Sequence, residues 1–273
     1  MPFSPLPLLQ AVQAQDGRIT VLTGAGISAE SGIPTFRGPE GYWTIGSQVY
    51  HPQEMATFRM FQIKPLEVWE WYLYRLGVCR QASPNAGHLA LVEMESSLKN
   101  RFTLITQNVD GLHLRAGNSM ERTFQIHGNV AFMRCARECS SSLFPIPDSL
   151  HHQTKNDKLT EAIRKTLTCP HCGGMTRPHV LWFDEIYDEP FFRFTSSLLV
   201  AEKTDLLIIV GTSGVTNLPN QVARTVFQQG KPIIDINIEK NPFSALAEKS
   251  NGGGFVQEPS ATALPRIAAA LRS

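Results

Sequence analysis

No stretch of the chain holds the roughly 18–20 consecutive apolar residues that a membrane-crossing helix needs. The apolar N-terminal run from Pro5 to Val12 is short and lacks a basic flank, so neither a secretory nor a transit signal is expected. Charge of one sign is not in excess. Lys plus Arg number 25 against 24 Asp plus Glu, a net charge of +1, which leaves no electrostatic footprint for nucleic acid or a membrane surface. Recognition must therefore be local. Internal repeats and low-complexity tracts are missing too, which removes repeat arrays. Cysteine is scarce, and its five copies are an odd number. Four fall in two close pairs, Cys135 with Cys139 and Cys169 with Cys172, leaving Cys79 alone. That grouping favours a metal over disulfides, and with it a reducing, cytoplasmic compartment. What remains is 273 residues, 42% hydrophobic and 18% charged. This supplies a sizeable core in one large α/β domain or a large domain with a small insertion.

Buried parallel strands read as short apolar, β-branched runs. Four such runs stand out, at residues 18–23, 102–106, 205–211 and 232–238. A helical pattern over 221–229 precedes the last of them, and others fit 65–78, 85–97 and 261–271. Strand, helix, strand in that order predicts crossover connections and an open sheet with helices on both faces. Two segments break the rhythm, one from Phe36 to about Pro84 and one from about Asn129 to Pro178. The second carries all four paired cysteines and reads as an inserted module. Gly252-Gly-Gly254 marks a tight loop near the end.

Thr23-Gly24-Ala25-Gly26-Ile27-Ser28-Ala29 fits the dinucleotide fingerprint, directly after a predicted strand. Glycines there let the backbone turn sharply and approach a pyrophosphate, whose charge then meets N–H groups at a helix start. An ordinary strand-to-helix turn has the same appearance. No acidic residue ends a second strand at the usual distance, so Asn237 and Glu239, at the end of the late strand, are the candidate ribose partners. Gly211-Thr212-Ser213-Gly214 is a second glycine-bounded turn after a buried strand, able to hold phosphate or simply to cap the next segment. Thr106-Gln107-Asn108-Val109-Asp110-Gly111-Leu112-His113 gathers two amides and a carboxylate in one loop, suited to a carboxamide and ribose hydroxyls or to an Asx turn. His127, just ahead of the cysteine module, is either a structural histidine or, titrating near neutrality at a domain junction, a general base.

Cys135-x3-Cys139, 29 intervening residues, then Cys169-Pro170-His171-Cys172 has the form of a four-thiolate zinc site. Four thiolates leave no open position, so one Zn²⁺ per chain is expected to be structural. His171 and His179 are expected to be exposed or packing residues rather than ligands.

Taken together these stretches resemble the sirtuin family, the NAD-dependent protein lysine deacylases. The matching segments are 24–38, 106–113, His127-Gly128, the four cysteines and Gly211-Thr-Ser213, in family order along nearly the whole chain. The resemblance implies an α/β fold: a Rossmann-like, doubly wound parallel sheet with a smaller inserted zinc-ribbon and helical module. The implied partition is 1–35, 81–128 and 179–273 for the NAD-binding domain, 36–80 for a cofactor-binding loop and helices, and 129–178 for the zinc module. It implies that Gly24, Ala25, Gly26, Glu30, Phe36 and Arg37 belong to the cofactor-binding loop. Gln107, Asn108 and Asp110 would surround the nicotinamide and its ribose, and Gly211, Thr212, Ser213, Asn237 and Glu239 the phosphates and adenosine. His127 would be the catalytic base. The implied reaction couples amide hydrolysis to cleavage of the nicotinamide–ribose bond and yields free lysine, nicotinamide and O-acyl-ADP-ribose. The implied partner is an acyl-lysine protein or peptide, met by a monomer, with no nucleic acid or membrane involved.

Tyr72 and Arg75 lie three apart on a predicted helix and so share a face. With Gly41-Tyr42-Trp43, they resemble the sirtuin subgroup that removes succinyl, malonyl and glutaryl groups, where a guanidinium fork matches the acyl carboxylate. Val180, Trp182 and Phe183 complete the implied substrate site. Two stretches depart from the family. Asp184 stands where glycine is usual, and Gly214-Val-Thr-Asn-Leu-Pro219 differs from the strand expected after the phosphate turn. Both stretches normally pair with a substrate peptide, so a carboxylate at 184 is expected to alter peptide preference. Two competing functions remain open from sequence: an NAD glycohydrolase or mono-ADP-ribosyltransferase using the same pocket, and a non-catalytic NAD- or nucleic-acid-binding zinc module.

Overall fold

A computed structural model describes residues 3–34, 43–45, 48–150 and 154–272. Phe36, Arg37, Gly41 and Tyr42 lie outside the described residues, as does the side chain of Trp43. The strands in chain order are β1 Ile19–Thr23, β2 Trp43–Ile45, β3 Gln48–Tyr50, β4 Phe102–Thr106, β5 Thr123–Gln125, β6 Gly128–Cys135, β7 Leu143–Pro145, β8 Thr176–Val180, β9 Leu206–Val210, β10 Ile233–Asn237 and β11 Gly254–Gln257. Six of them form one sheet in the order β11-β10-β9-β1-β4-β5, every pair parallel. Counting only these six along the chain, the order is the 3-2-1-4-5-6 of a doubly wound dinucleotide fold, with the crevice where the chain reverses direction, between β1 and β9.

Each predicted sheet strand is found within a residue or so of its expected ends, because β1 and β9 are buried along their whole length and admit only apolar or hydroxyl side chains. Ile19, Val21, Ile208 and Ile234 point to one face, where Leu91, Met94, Leu264 and Ile267 cover them. Leu22, Ile105 and Ile209 point to the other, under Leu218, Val222 and Val226. The helix expected over 221–229 begins earlier, at Asn217, and runs to Gln228. Pro219 is tolerated in its first turn, where backbone N–H groups have no intrahelical acceptor.

A third cluster holds the rest of the molecule together. The helix Pro65–Gln81 starts with proline in its first turn, has Glu67 near its N-terminus and Arg80 in its last turn, which suits the helix dipole. It buries Val68, Trp69, Trp71, Leu73 and Leu76 against Val130, Met133, Leu167 and Trp182. Fully burying each aliphatic side chain contributes about 1.5–3 kcal/mol before entropy is counted. Trp69 Nε1 donates to the Thr176 carbonyl on β8 at 2.9 Å, and Arg80 donates to the carbonyls of Ile146 and Pro147. The helical segment and the three-stranded sheet β7-β6-β8 therefore share one core. Among the described residues no helix is long and apolar enough to cross a membrane.

Candidate active site and metal centre

At the carboxyl ends of β1 and β9 two loops meet back to back. Gly24 N–H donates to Val210 O at 2.9 Å and Gly26 N–H to Gly211 O at 2.8 Å. A Cβ on Gly24 would lie 2.6 Å from Thr212 Cβ, and one on Gly26 would lie 2.7 Å from Gly211 Cα. The glycines thus serve the approach of one loop to the other. Ile27 and Ser28 N–H also donate internally, to the carbonyls of Gly24 and Ala25. Of the second loop, Thr212 is buried and Ser213 is exposed at the rim. Asn237 Nδ2 donates to Thr212 O at 3.0 Å and so braces that loop from β10, while Glu239 is exposed just beyond the strand. Glu30 sits elsewhere, its carboxylate accepting from Ala261 N–H and Ser260 Oγ at the start of the helix Ser260–Ala270. An anion is favoured there by the helix dipole.

Behind these loops lies a polar chain spanning β1 and β4. Gln107 Nε2 donates to Thr212 Oγ1 at 2.9 Å, and its Oε1 accepts from Thr216 Oγ1 at 2.7 Å, so the side chain bolts the two sides of the crevice together. Ser28 joins the other two residues of the loop, accepting from Asn108 Nδ2 at 3.0 Å and donating to Asp110 Oδ2 at 2.8 Å. Asp110 Oδ1 accepts from Leu112 N–H, so the Asx turn read as the alternative is formed as well. Burial raises the Asp110 pKa, while the Leu112 amide, the Ser28 hydroxyl and the fields of Arg115 and Arg75 oppose the rise. A carboxylate has about four lone-pair sites, and two are used here. Asn108 and Asp110 therefore fit a carboxamide such as that of nicotinamide. Beneath Ser28, the rings of His88 and His113 lie 4.9 Å apart, both pKa values driven down by burial. Ser28 is the hub that sequence reading passed over, although it stood inside the quoted glycine motif.

His127 lies between β5 and β6, where the parallel sheet gives way to the smaller one. Its Nδ1 is 3.0 Å from the Gln107 carbonyl, which requires a donor and so places the proton on Nδ1. Nε2 is then an acceptor, and the Tyr187 hydroxyl donates to it at 2.7 Å. Burial pushes the imidazole down to about 4, against a smaller upward pull from the Gln107 carbonyl. The expectation of titration near neutrality is corrected by that burial: at neutral pH His127 is the neutral, proton-accepting form. Tyr187 was outside every sequence motif, and a contact spanning sixty positions leaves no local signal.

The four paired cysteines converge. Their sulfurs all lie within 4.8 Å of one another, with Cys135–Cys172 and Cys139–Cys169 at 3.6 Å. A tetrahedral zinc with Zn–S of about 2.3 Å needs sulfurs about 3.8 Å apart, so the four are positioned to bind one zinc. Gly173, at φ +67°, turns the second knuckle so that its N–H reaches Cys169 O, and Cys169 N–H reaches Gly174 O at 2.7 Å. His179 is buried and stacked 5.7 Å from Phe192, and His171 is exposed beside Phe144, so neither joins the sulfurs.

The sequence model described as the Sir2 family matches residues 24–217, well over half of the chain. The chain belongs to the Sir2 family. It is 37% identical over 250 residues to an NAD-dependent protein deacylase of Leptospira interrogans, covering 92% of this chain and 91% of that one. A protein of the same description from Aeropyrum pernix is 40% identical over 228 residues, 83% of each chain. The crystal structure of a Sir2 homolog–NAD complex matches with a TM-score of 0.78 at 30% identity, covering 97% of this chain and 93% of that one.

In this Sir2-family chain the implied substrate residues fall into two groups. Tyr72 is 2% exposed and Trp182 1% exposed, and Trp182 Nε1 donates to the Tyr72 hydroxyl at 2.9 Å. Arg177 lies 3.5 Å over the Trp182 ring. Val180 is also buried, whereas Phe183 is 59% exposed. Arg75 is held one turn from Tyr72 with its guanidinium 5.3 Å over the Trp71 ring. The stretch around Asp184 differs from a free strand edge. Phe183 N–H donates to Ala56 O, and the Asp184 carboxylate accepts from the N–H groups of Phe58 and Arg59 at 2.6 and 3.0 Å. Asp184 thus caps the helix Phe58–Ile63 together with Thr57, which accepts from Met60 N–H. Its charge is spent on backbone donors. Cys79 is buried, its thiol pushed up to about 12, which leaves it an unreactive packing residue.

Proposed function

We propose that this chain is an NAD-dependent protein lysine deacylase that works as a monomer in the cytoplasm, with His127 as general base and a preference for acidic acyl groups. The near-even charge balance speaks against nucleic acid as its partner, and four thiolates kept for a metal suit a reducing compartment. The parallel sheet with its connecting helices, 1–35, 81–128 and 179–273, forms the cofactor-binding unit in this reading, and 36–80 with 129–178 the smaller part across the cleft. Bound between them, NAD supplies the ribose carbon whose bond to nicotinamide breaks and the hydroxyl that takes the acyl group.

The single observation that carries the reading is the His127 imidazole. It is neutral, fixed in one tautomer by the Gln107 carbonyl, and already accepts a hydroxyl at Nε2. A neutral imidazole in that tautomer can take a proton at Nε2 from a ribose hydroxyl. Asn108 and Asp110, linked through Ser28, orient the carboxamide, and Thr212, Ser213 and Asn237 line the phosphate end with Gly211 at the turn. Gly24, Ala25 and Gly26 form the floor beneath it. Glu30, by contrast, acts on the fold through the cap it gives the last helix.

For the acyl group, Trp182 donates to the Tyr72 oxygen, so the hydroxyl proton of Tyr72 points elsewhere and suits a carboxylate acceptor. Burial raises the Tyr72 pKa and keeps that proton in place. Arg75 adds the planar cationic fork one turn away. Arg75→Met should cut kcat/KM for a succinyl-lysine peptide roughly tenfold to a hundredfold more than for the matched acetyl-lysine peptide, the scale of a lost hydrogen bond to a charged group. Equal losses on both peptides, or no loss on either, would remove the acidic-acyl preference.

A further inference from the structure

The hydroxyl on His127 belongs to the protein itself, and it occupies the lone pair that the base needs. A neutral imidazole protonated at Nδ1 has one acceptor position, Nε2. Tyr187 fills it at 2.7 Å. The tyrosine is anchored independently of His127. Its ring stacks on Phe194 with centroids 6.3 Å apart. With the imidazole proton on Nδ1, Nε2 can only accept, so the Tyr187 proton is directed to it. Burial raises the Tyr187 pKa, which keeps that proton on the phenol.

We propose that Tyr187 is a positioning residue that keeps the His127 lone pair engaged in the ligand-free cleft, so that the Tyr187 bond and a ribose-hydroxyl bond to Nε2 are mutually exclusive. This rests on His127 being the base. The Gln107 carbonyl sets the tautomer, the tyrosine holds the remaining acceptor position, and cofactor binding has to displace its hydroxyl. Part of the cofactor's binding free energy is therefore used to break an internal hydrogen bond, which lowers apparent affinity without changing the bonds made later.

Tyr187→Phe keeps the ring on Phe194 and removes only the hydroxyl. The probe is ADP-ribose, which carries the ribose hydroxyls without nicotinamide. Titration calorimetry should show its Kd falling about two- to tenfold in the variant, the range of one neutral hydrogen bond, and kcat/KM for NAD rising by a similar factor. In protein carrying ¹⁵N-labelled histidine, the Nε2 resonance of His127 should move in the ligand-free variant relative to the parent. An unchanged Kd together with an unchanged Nε2 resonance overturns the proposal. So does weaker ADP-ribose binding or a fall in kcat/KM, because Tyr187 would then be assisting the reaction rather than competing with it. If Tyr187→Phe does not fold, the parent protein decides the matter: the Tyr187 Cζ resonance must move when ADP-ribose is added, and its constancy overturns the proposal. A failure of His127 as base is read separately, from full turnover in His127→Ala.

Discussion

Replacement of His127 by alanine should lower acyl-peptide-dependent nicotinamide release by about 10²–10⁴-fold, the usual worth of a positioned general base. The size of the effect follows from the imidazole's setting. Its Nδ1–H is spent on the Gln107 carbonyl, and burial pushes the imidazole down to about 4, which favours the neutral, accepting form at neutral pH. The variant also leaves the Gln107 carbonyl and the Tyr187 hydroxyl without their partner, at a cost of about 1–3 kcal/mol each if they stay dry. His127→Gln, whose amide still offers a donor to the carbonyl, separates the two effects. Both variants should lose turnover, with a circular dichroism spectrum like the parent's. Retained turnover in a folded His127→Ala protein would mean that another group removes the proton.

Removal of zinc should have the second large effect, and it should be structural. Structural zinc contributes roughly 10–16 kcal/mol in small zinc domains, as much as or more than the 5–15 kcal/mol that holds a whole protein folded. Cys135 ends β6 and the other knuckle precedes β8, so the metal closes the sheet β7-β6-β8 at one end. Through Trp69 and Thr176 that sheet also supports the helix carrying Tyr72 and Arg75. Chelation should therefore loosen this module and abolish activity together, with tryptophan fluorescence reporting the change around Trp69, Trp71 and Trp182. A metal-free protein, verified by elemental analysis, that kept native spectra and full turnover would contradict the structural role.

Much of this was legible in the residues. The central strands β1, β4, β9 and β10 are almost wholly buried and so read as mostly apolar, β-branched runs, interrupted by hydroxyl side chains and by the buried Asp235 of β10. The cysteines were legible because metal geometry requires close pairs on tight turns. The edge strands were not: β5 is three residues long, and β11 begins with Gly254, which reads as part of a glycine loop. The capping contacts of two carboxylates were not legible either. Glu30 and Asp184 sit inside motif segments, but their partners are backbone N–H groups of helices far away in sequence, and only the fold brings those donors within reach. Gly24 and Gly26 signalled a close approach correctly, while what approaches them in the structure is the loop at Gly211.

The most direct measurement of the central claim is nicotinamide release from NAD by the zinc-loaded protein, with products resolved by mass, in the presence of matched acetyl-lysine, succinyl-lysine and unmodified lysine peptides. Release should accompany loss of the acyl group one for one, with O-acyl-ADP-ribose formed, and should stay near background with the unmodified peptide. NAD consumed at the same rate whichever peptide is present, with every acyl group intact, would show a glycohydrolase or ADP-ribosyltransferase and contradict the deacylase.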